Sequence, residues 1–305
     1  MLKCVLVDTN GSSTSLTMPV NMSIISSSDA PADSFSAVFA LSGAIPELLS
    51  VKVLYDNDVI FYGYTDEQTS TITEKGTLLE VKARSLAAIL LDNEAKPQVI
   101  CLPSMKLLFQ TNFKPLGLKG YIGPDKAYIG DLVISKGMSE WEVLSTFCKK
   151  GGFGDPSIDH NGFILFDRNA SNDIIYINSD HPRVRISKKI KRSILISDVY
   201  ARTHKAGGYE YHINNDFAKN HGIRKIRYTA PTDNEMNSIV RTYELLKKSN
   251  SSYKTCIVNA AGIIPCRLGD KLKTNDFEET MRITQICYGV GAKGYFTRIS
   301  AEEVN

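Results

Sequence analysis

Apolar and polar residues alternate with a period of two through much of this chain, the pattern of strands that bury one face and wet the other. Cys4, Leu6 and Asp8 alternate with Lys3, Val5 and Val7 before a turn at Asn10-Gly11, and Phe35, Ala37 and Phe39 alternate with Ser36 and Val38. The best-defined stretch runs from Val51 to Ala95. Val51, Val53 and Tyr55 alternate with Lys52 and Leu54, and Asp56-Asn57-Asp58 supplies residues that tolerate positive φ. Val59, Phe61 and Gly63 then restart the pattern, which predicts a hairpin. A second turn at Glu74-Lys75-Gly76 leads to a strand with Leu79, Val81 and Ala83 on one face and Glu80, Lys82 and Arg84 on the other. Ser85 stands where it can cap a short helix whose stripe is Leu86, Ile89 and Leu90.

From Lys96 the period shifts. Pro103 and Ser104 introduce a predicted helix from Met105 to Phe113, and Ser139 with Glu142 makes a capping box ahead of a stripe of Trp141, Leu144 and Cys148. Gly151-Gly152 stops that helix, and residues 162–168 read as a short buried strand. The longest helix is expected at about 233–248, opened by Pro231, Thr232 and Glu235, with Met236, Ile239, Val240, Tyr243 and Leu246 as its stripe. Strand material returns at residues 255–259, and the chain ends in a hairpin whose arms are Thr280 to Tyr288 and Tyr295 to Ile299. So many short strands are most simply satisfied by small closed or nearly closed barrels, because closure removes exposed edges. The expected fold class is mainly β with α+β elements: a β-barrel over 1–95, an α/β middle domain over 96–190, and a second β-barrel over 191–305 that carries the long helix. The strand, turn, strand and Gly order of residues 51–63 recurs loosely at 255–269.

Size and charge refine this picture. At 305 residues the chain has room for two or three modules. Its net charge of +3 hides an asymmetry: residues 1–95 hold 12 Asp and Glu against 5 Lys and Arg, a balance of −7, and the other 210 residues hold 21 acids and 31 bases, a balance of +10. Acidic and basic modules in one chain point to contact between modules or between copies. The opening residues lack a basic region followed by an apolar core, and no apolar run approaches the roughly 18 to 20 residues of a membrane span. Cys4, Cys101, Cys148, Cys256, Cys266 and Cys287 show no C-x-x-C spacing, which argues against zinc and against a disulfide framework. They read as thiols of a protein made in reducing cytosol.

The stretch 51–95 also resembles a known family. An aromatic-x-Gly step at Phe61 and Gly63, Asp66 beyond it, and an Ala83-Arg84-Ser85-Leu86 segment closing on Leu91-Asp92 are similar to the first tube domain of contractile phage tail baseplate hub proteins, the group of the phage Mu hub, the late-control D type and the prophage tail hubs of Gram-positive bacteria. The Pro265-x-x-x-Gly269-Asp270 step resembles a hairpin of that family's second tube domain. The resemblance implies a structural protein with neither catalyst nor cofactor. Three copies would form a homotrimer ring whose six barrels match the hexameric tail tube or tube-initiator protein, while the trimer receives the central spike protein; tape-measure and baseplate wedge proteins are further implied partners. It also implies synthesis in the bacterial cytoplasm and a final place in the baseplate of a virion or a tail-like particle such as a bacteriocin.

Two other readings stand beside it. One is a cell-wall hydrolase of the same apparatus, for which Cys148 with His160 and Asp159 would be the candidate group; yet Cys148 lies on the apolar stripe of its helix, where an inert thiol is expected. The adjacent pairs Glu278-Glu279 and Glu302-Glu303 point to opposite strand faces, which suits solvation better than acid–base work. The other is a nucleic-acid-binding β-barrel using Arg183, Arg185, Lys188, Lys189, Lys191 and Arg192. That run also reads as a strand whose Val184, Ile186 and Ile190 pack while its bases stay wet, and no aromatic residues interleave with it. The five histidines lack metal spacing, and Lys149 to Pro156 lacks the Gly-Lys-Ser/Thr of a phosphate loop.

Overall fold

Alternating strands become sheets because each apolar face needs cover and each backbone edge needs partners. The computed structural model describes residues 1–43, 45–74, 76–167, 173–178, 185–202, 208–230 and 238–303, the side chains of 238–240 and 277 excepted. The chain is mainly β and forms two units. The first comprises Met1–Asn172, Ala260–Asp270 and Thr284–Arg298; the second comprises Asp173–Asn259, Lys271–Ile283 and Ile299–Asn305.

In the first unit, β1 (Leu2–Asp8), β2 (Ser13–Leu16), β3 (Asn21–Ser27), β4 (Ser34–Leu41), β5 (Leu48–Tyr55), β6 (Asp58–Thr73) and β7 (Gly76–Ser85) pair antiparallel in the order β3-β4-β7-β6-β5-β1-β2. The predicted turn between β5 and β6 is tight, with Asp56 at φ 47° and Asn57 at φ 75°. A late segment of the chain joins the same sheet: Gln285 lies opposite Ser27 and Val290 opposite Met22. Phe35, Phe39, Phe61, Leu79 and Val81 are buried, and the rings of Phe35 and Phe61 stack at 5.3 Å and 23°. Each such side chain contributes about 1.5–3 kcal/mol of burial free energy.

One expected cap is absent. The helix after β7, α1 (Ala88–Asp92), has no side-chain cap bond. Ser85 instead ends β7, buried, where its Oγ accepts the Asp33 backbone N–H at 2.9 Å and its own N–H donates to the Asp33 carbonyl at 2.9 Å. A tertiary partner has taken the hydroxyl that local sequence offered to the helix.

The rest of the first unit holds β8 (Gln98–Cys101), α2 (Met105–Leu108), β9 (Gly120–Ile122), β10 (Asp131–Ile134), α3 (Glu140–Gly151), β11 (Ser157–Ile158) and β12 (Phe163–Leu165). Ser104 caps α2 by accepting the Leu107 N–H, as predicted. The expected continuous helix to Phe113 is not realised: α2 widens into a π-turn over Phe109–Phe113 and then tightens into a 3-10 turn over Lys114–Leu116. The Thr111 hydroxyl donates to the Leu107 carbonyl at 3.0 Å, competing with the backbone for that acceptor. Inside the wide turn, buried Asn112 donates from Nδ2 to Glu140 Oε2 at 3.0 Å. The Ser139–Glu142 capping box of α3 is formed in both directions, and Gly152 ends the helix at φ 65°. Val143, Leu144, Phe147 and Cys148 are buried in one core with Leu108, Phe113, Leu132 and Ile164.

The second unit holds β13 (Ile174–Tyr176), β14 (Arg185–Ile190), β15 (Asp198–Ala201), β16 (Tyr211–Asn214), α4 (Asp216–Asn220), β17 (Ile226–Thr229), α5 (Ser238–Ser251), β18 (Lys254–Ala261, except its last two residues, Ala260 and Ala261, which belong to the first unit) and β19 (Lys271–Thr274). The final strands, β20 (Phe277–Gly291) and β21 (Gly294–Glu303), each contribute residues to both units. β14 pairs antiparallel with β18, and β16-β15-β17 form a three-stranded sheet whose Val199 packs with Ile196 and with Leu246 of α5. Pro231, Thr232, Glu235 and Met236, expected to open the long helix, lie outside the described residues, as do the side chains of Ile239 and Val240. Ile190, expected to pack, is exposed at the end of β14, while Ile186 is half-buried.

Candidate functional site

The residues singled out by the family pattern build strand geometry. Gly63 sits on β6 opposite Ser85, where an added Cβ would stand 2.0 Å from the Arg84 carbonyl oxygen, so only glycine allows the two strands to close. Phe61, two residues before it, fills the core against Phe35. On the outer face Arg84 grips Asp66 through Nε at 2.8 Å and Nη2 at 2.8 Å, and turns Nη1 and Nη2 to Asp92 at 3.0 and 2.7 Å. These bonds hold the Asp92 carboxyl below its ordinary range. Beside them Lys82 lies between Glu67 at 3.0 Å and Glu80 at 3.7 Å. Three carboxylates of the sheet face and Asp92 at the end of α1 thus share two bases.

The Pro265–Asp270 step is also a backbone device. Gly269 adopts φ 90°, and buried Asp270 folds back so that Oδ2 accepts the Arg267 N–H at 2.7 Å. Next to it the buried phenol of Tyr288 donates to the Cys266 carbonyl and accepts the Cys266 N–H, both at 3.0 Å.

The basic run is divided among several tasks. Arg183 lies outside the described residues. Lys188 holds Glu279 at 2.6 Å, and Glu279 also takes Lys254 at 3.0 Å, which reaches on to Glu303 at 3.1 Å. The two lysines pull the Glu279 carboxyl down to about 2. The expectation that these glutamates are simply solvated therefore fails for Glu279 and Glu303, each mostly covered and ion-paired. Arg192 donates to the His221 carbonyl. Arg185, Lys189 and Lys191 are exposed.

Three buried thiols are held in their unreactive form. Burial pushes Cys148 up to about 12, Cys4 up to about 12 and Cys256 up to about 11, and a thiolate is the reactive species. Burial also lowers the His160 imidazole, so its neutral form is favoured. Among the described residues no group of three His, Cys, Asp or Glu side chains is placed to hold a metal, and no helix is long and apolar enough to cross a membrane.

One surface was missed in the sequence. On β15, β16 and β17 the register sets Tyr200 opposite both His212 and Tyr228. Their rings form a row: His212 to Tyr200 at 4.5 Å and 12°, Tyr200 to Tyr228 at 5.6 Å and 24°, with Tyr209 edge-on to Tyr228 at 5.2 Å. At the base of the row Asp198 takes His212 and Lys219, each at 2.8 Å, and is held down to about 2, the Lys219 bond first. The available signal was the concentration of tyrosine and arginine in short strands between residues 200 and 228.

No family model matches this sequence, and no curated protein matches it. Solved structures do match. The 43 kDa tail protein of prophage MuSo2 from Shewanella oneidensis superposes with a TM-score of 0.81 at 15% identity, covering 99% of this chain and 98% of that one. The tail protein from Neisseria meningitidis MC58 gives 0.76 at 14% identity, covering 99% and 96%. The E. coli c3393 protein, a component of the type VI secretion system with structural similarity to T4 bacteriophage tail proteins gp27 and gp5, gives 0.57 at 10% identity, covering 100% and 77%. Sequence identity this low carries the fold alone, and the fold of this chain is that of phage tail proteins of the baseplate type.

Proposed function

We propose that the chain is the structural hub of a baseplate in a contractile phage tail or tail-like injection particle. Three copies close a ring; the 1–95 and 191–305 segments act as two related tube domains per chain, with 96–190 bracing them. The six tube domains meet a six-fold tail tube or its initiator, and the trimer as a whole meets a three-fold spike. The chain works by symmetry matching rather than by chemistry, and it acts in the assembled particle after synthesis in the bacterial cytoplasm.

The observation that carries this reading is the extent of the likeness: 99% of this chain and 98% of the MuSo2 tail protein superpose. The similarity of the E. coli relative to gp27 and gp5 supports it further. Light scattering on the purified chain tests the reading. Three chains of 33.8 kDa give about 100 kDa for a closed ring, and a single-chain mass across all concentrations overturns the trimer.

A further inference from the structure

β17 (Ile226–Thr229) is an edge of the β16-β15-β17 sheet, where Ile226 and Tyr228 share the face of the ring row and Arg227 lies on the opposite face, all three exposed along the edge. Ile226 is 48% exposed and Tyr228 63% exposed. Arg224 precedes them and Arg227 lies between them in sequence, both also exposed, with each guanidinium bonded to the carbonyl of the residue before it, Ile223 and Ile226. Residues 185–230 hold 11 Lys and Arg against 3 Asp and Glu. Tyrosine and arginine around an exposed apolar centre is the composition of interface hot spots.

The ring geometry selects the kind of partner. Binding of single-stranded nucleic acid uses free aromatic faces on which bases stack. Here the faces within the row are spent on one another, since His212, Tyr200 and Tyr228 stack in series and Tyr209 closes on Tyr228. Along this edge Ile226, Tyr228 and two guanidinium groups remain exposed, which suits a protein surface carrying carboxylates. This chain has such a surface on the outer face of β6 and β7 and the adjoining end of α1, where Asp66, Glu67, Glu80 and Asp92 exceed Lys82 and Arg84 by two charges.

We propose that the Arg224–Tyr228 strip of one copy docks on the acidic β6/β7 face of a second copy of this chain. The inference rests on the ring reading and names the two surfaces that close the ring. Because the surfaces differ, the contact is heterologous, the kind that generates rings when the rotation closes.

The test compares the full chain with Arg224→Glu/Arg227→Glu, with Glu67→Lys/Glu80→Lys, and with all four changes together. Each pair of reversals is expected to weaken assembly at least about tenfold, and the four together to restore it, because opposite charges face each other again. Raising salt from about 0.05 to about 0.5 M should weaken the native assembly, and the neutral variant Arg224→Gln/Arg227→Gln, which guards against misfolding of the reversed one, should lose most of that dependence. If the native chain assembles and both Arg224/Arg227 variants assemble equally well, this inference fails while the ring stands. If the native chain is monomeric throughout, the ring reading itself fails and takes the inference with it. If the reversals instead lower the melting temperature of a single chain and leave assembly unchanged, the two faces meet within one copy and the inference is wrong.

Discussion

The guanidinium of Arg84 holds the carboxylate of Asp66 with two bonds of 2.8 Å, one to each oxygen, across β7 and β6. A fork of this kind needs the planar donors of arginine, and lysine cannot reproduce it. Both side chains are more than a third exposed, so the pair contributes about 0.5–1 kcal/mol rather than the larger value a buried pair would carry. Arg84→Lys should lower the melting temperature slightly and leave the β6–β7 pairing intact, as read by circular dichroism on heating. A loss of folding would show that Arg84 has a role beyond this face.

Gly63→Ala should be far more damaging. The new Cβ would overlap the Arg84 carbonyl at 2.0 Å, and that atom belongs to the backbone of the facing strand. Relief requires the strands to part, at a cost of about 3 kcal/mol or more, in the range of the severe named lesions. Chemical denaturation measures it, and a midpoint within error of the native one refutes the close approach.

Acid should weaken the second unit through Glu279. Its folded carboxyl is depressed from 4.5 to about 2 by Lys188 and then Lys254. A depressed acid contributes stability that is fully present above the unfolded value and is lost as pH falls through the folded one. The loss should therefore run from about pH 4.5 down to about pH 2. Asp198, depressed from 3.8 to about 2, adds to the lower part of that limb. Glu279→Gln should flatten the acid limb and lower stability at neutral pH, followed by tryptophan-independent far-ultraviolet circular dichroism against pH. An unchanged limb would mean the lysines hold Glu279 less firmly than the geometry indicates.

Thiol labelling should be selective. Cys101 is exposed, whereas Cys4, Cys148 and Cys256 are buried. Among these four, Cys101 is expected to react first with a disulfide reagent in the native state. The hydrogen bond and charge of Asp131 raise its thiol, so the reaction is slow near neutral pH, and Asp131→Asn should quicken it by about tenfold or less. Rapid native labelling of Cys148 would contradict its burial and reopen the hydrolase reading.

Much of the fold was legible because its causes are local. The β1 and β4 alternations, the Asp56-Asn57 turn, the Ser104 cap and the Ser139–Glu142 box each depend on residues within a few positions of one another. The same locality explains the misses. Ser85 looked like a helix cap because its neighbours made one possible, but Asp33, 52 residues earlier, took the hydroxyl. Glu279 looked solvated until β14 and β18 brought Lys188 and Lys254 to it. The helix from Met105 widened around Asn112 to meet Glu140, 28 residues away.

By itself the sequence determined the strand and helix periods, the principal turns and caps, the acidic start and basic remainder, and a pattern of Phe, Gly, Asp and Arg that resembles a tail hub. Tertiary structure alone decided that Gln285 to Val290 would pair with β3, which lysines would be spent on glutamates, and that Tyr200, His212 and Tyr228 would stand in one row. The physical reason is range. Periodicity, capping and turn chemistry act over a few residues, whereas strand partners and ion pairs are chosen among segments that only folding brings within a few ångströms.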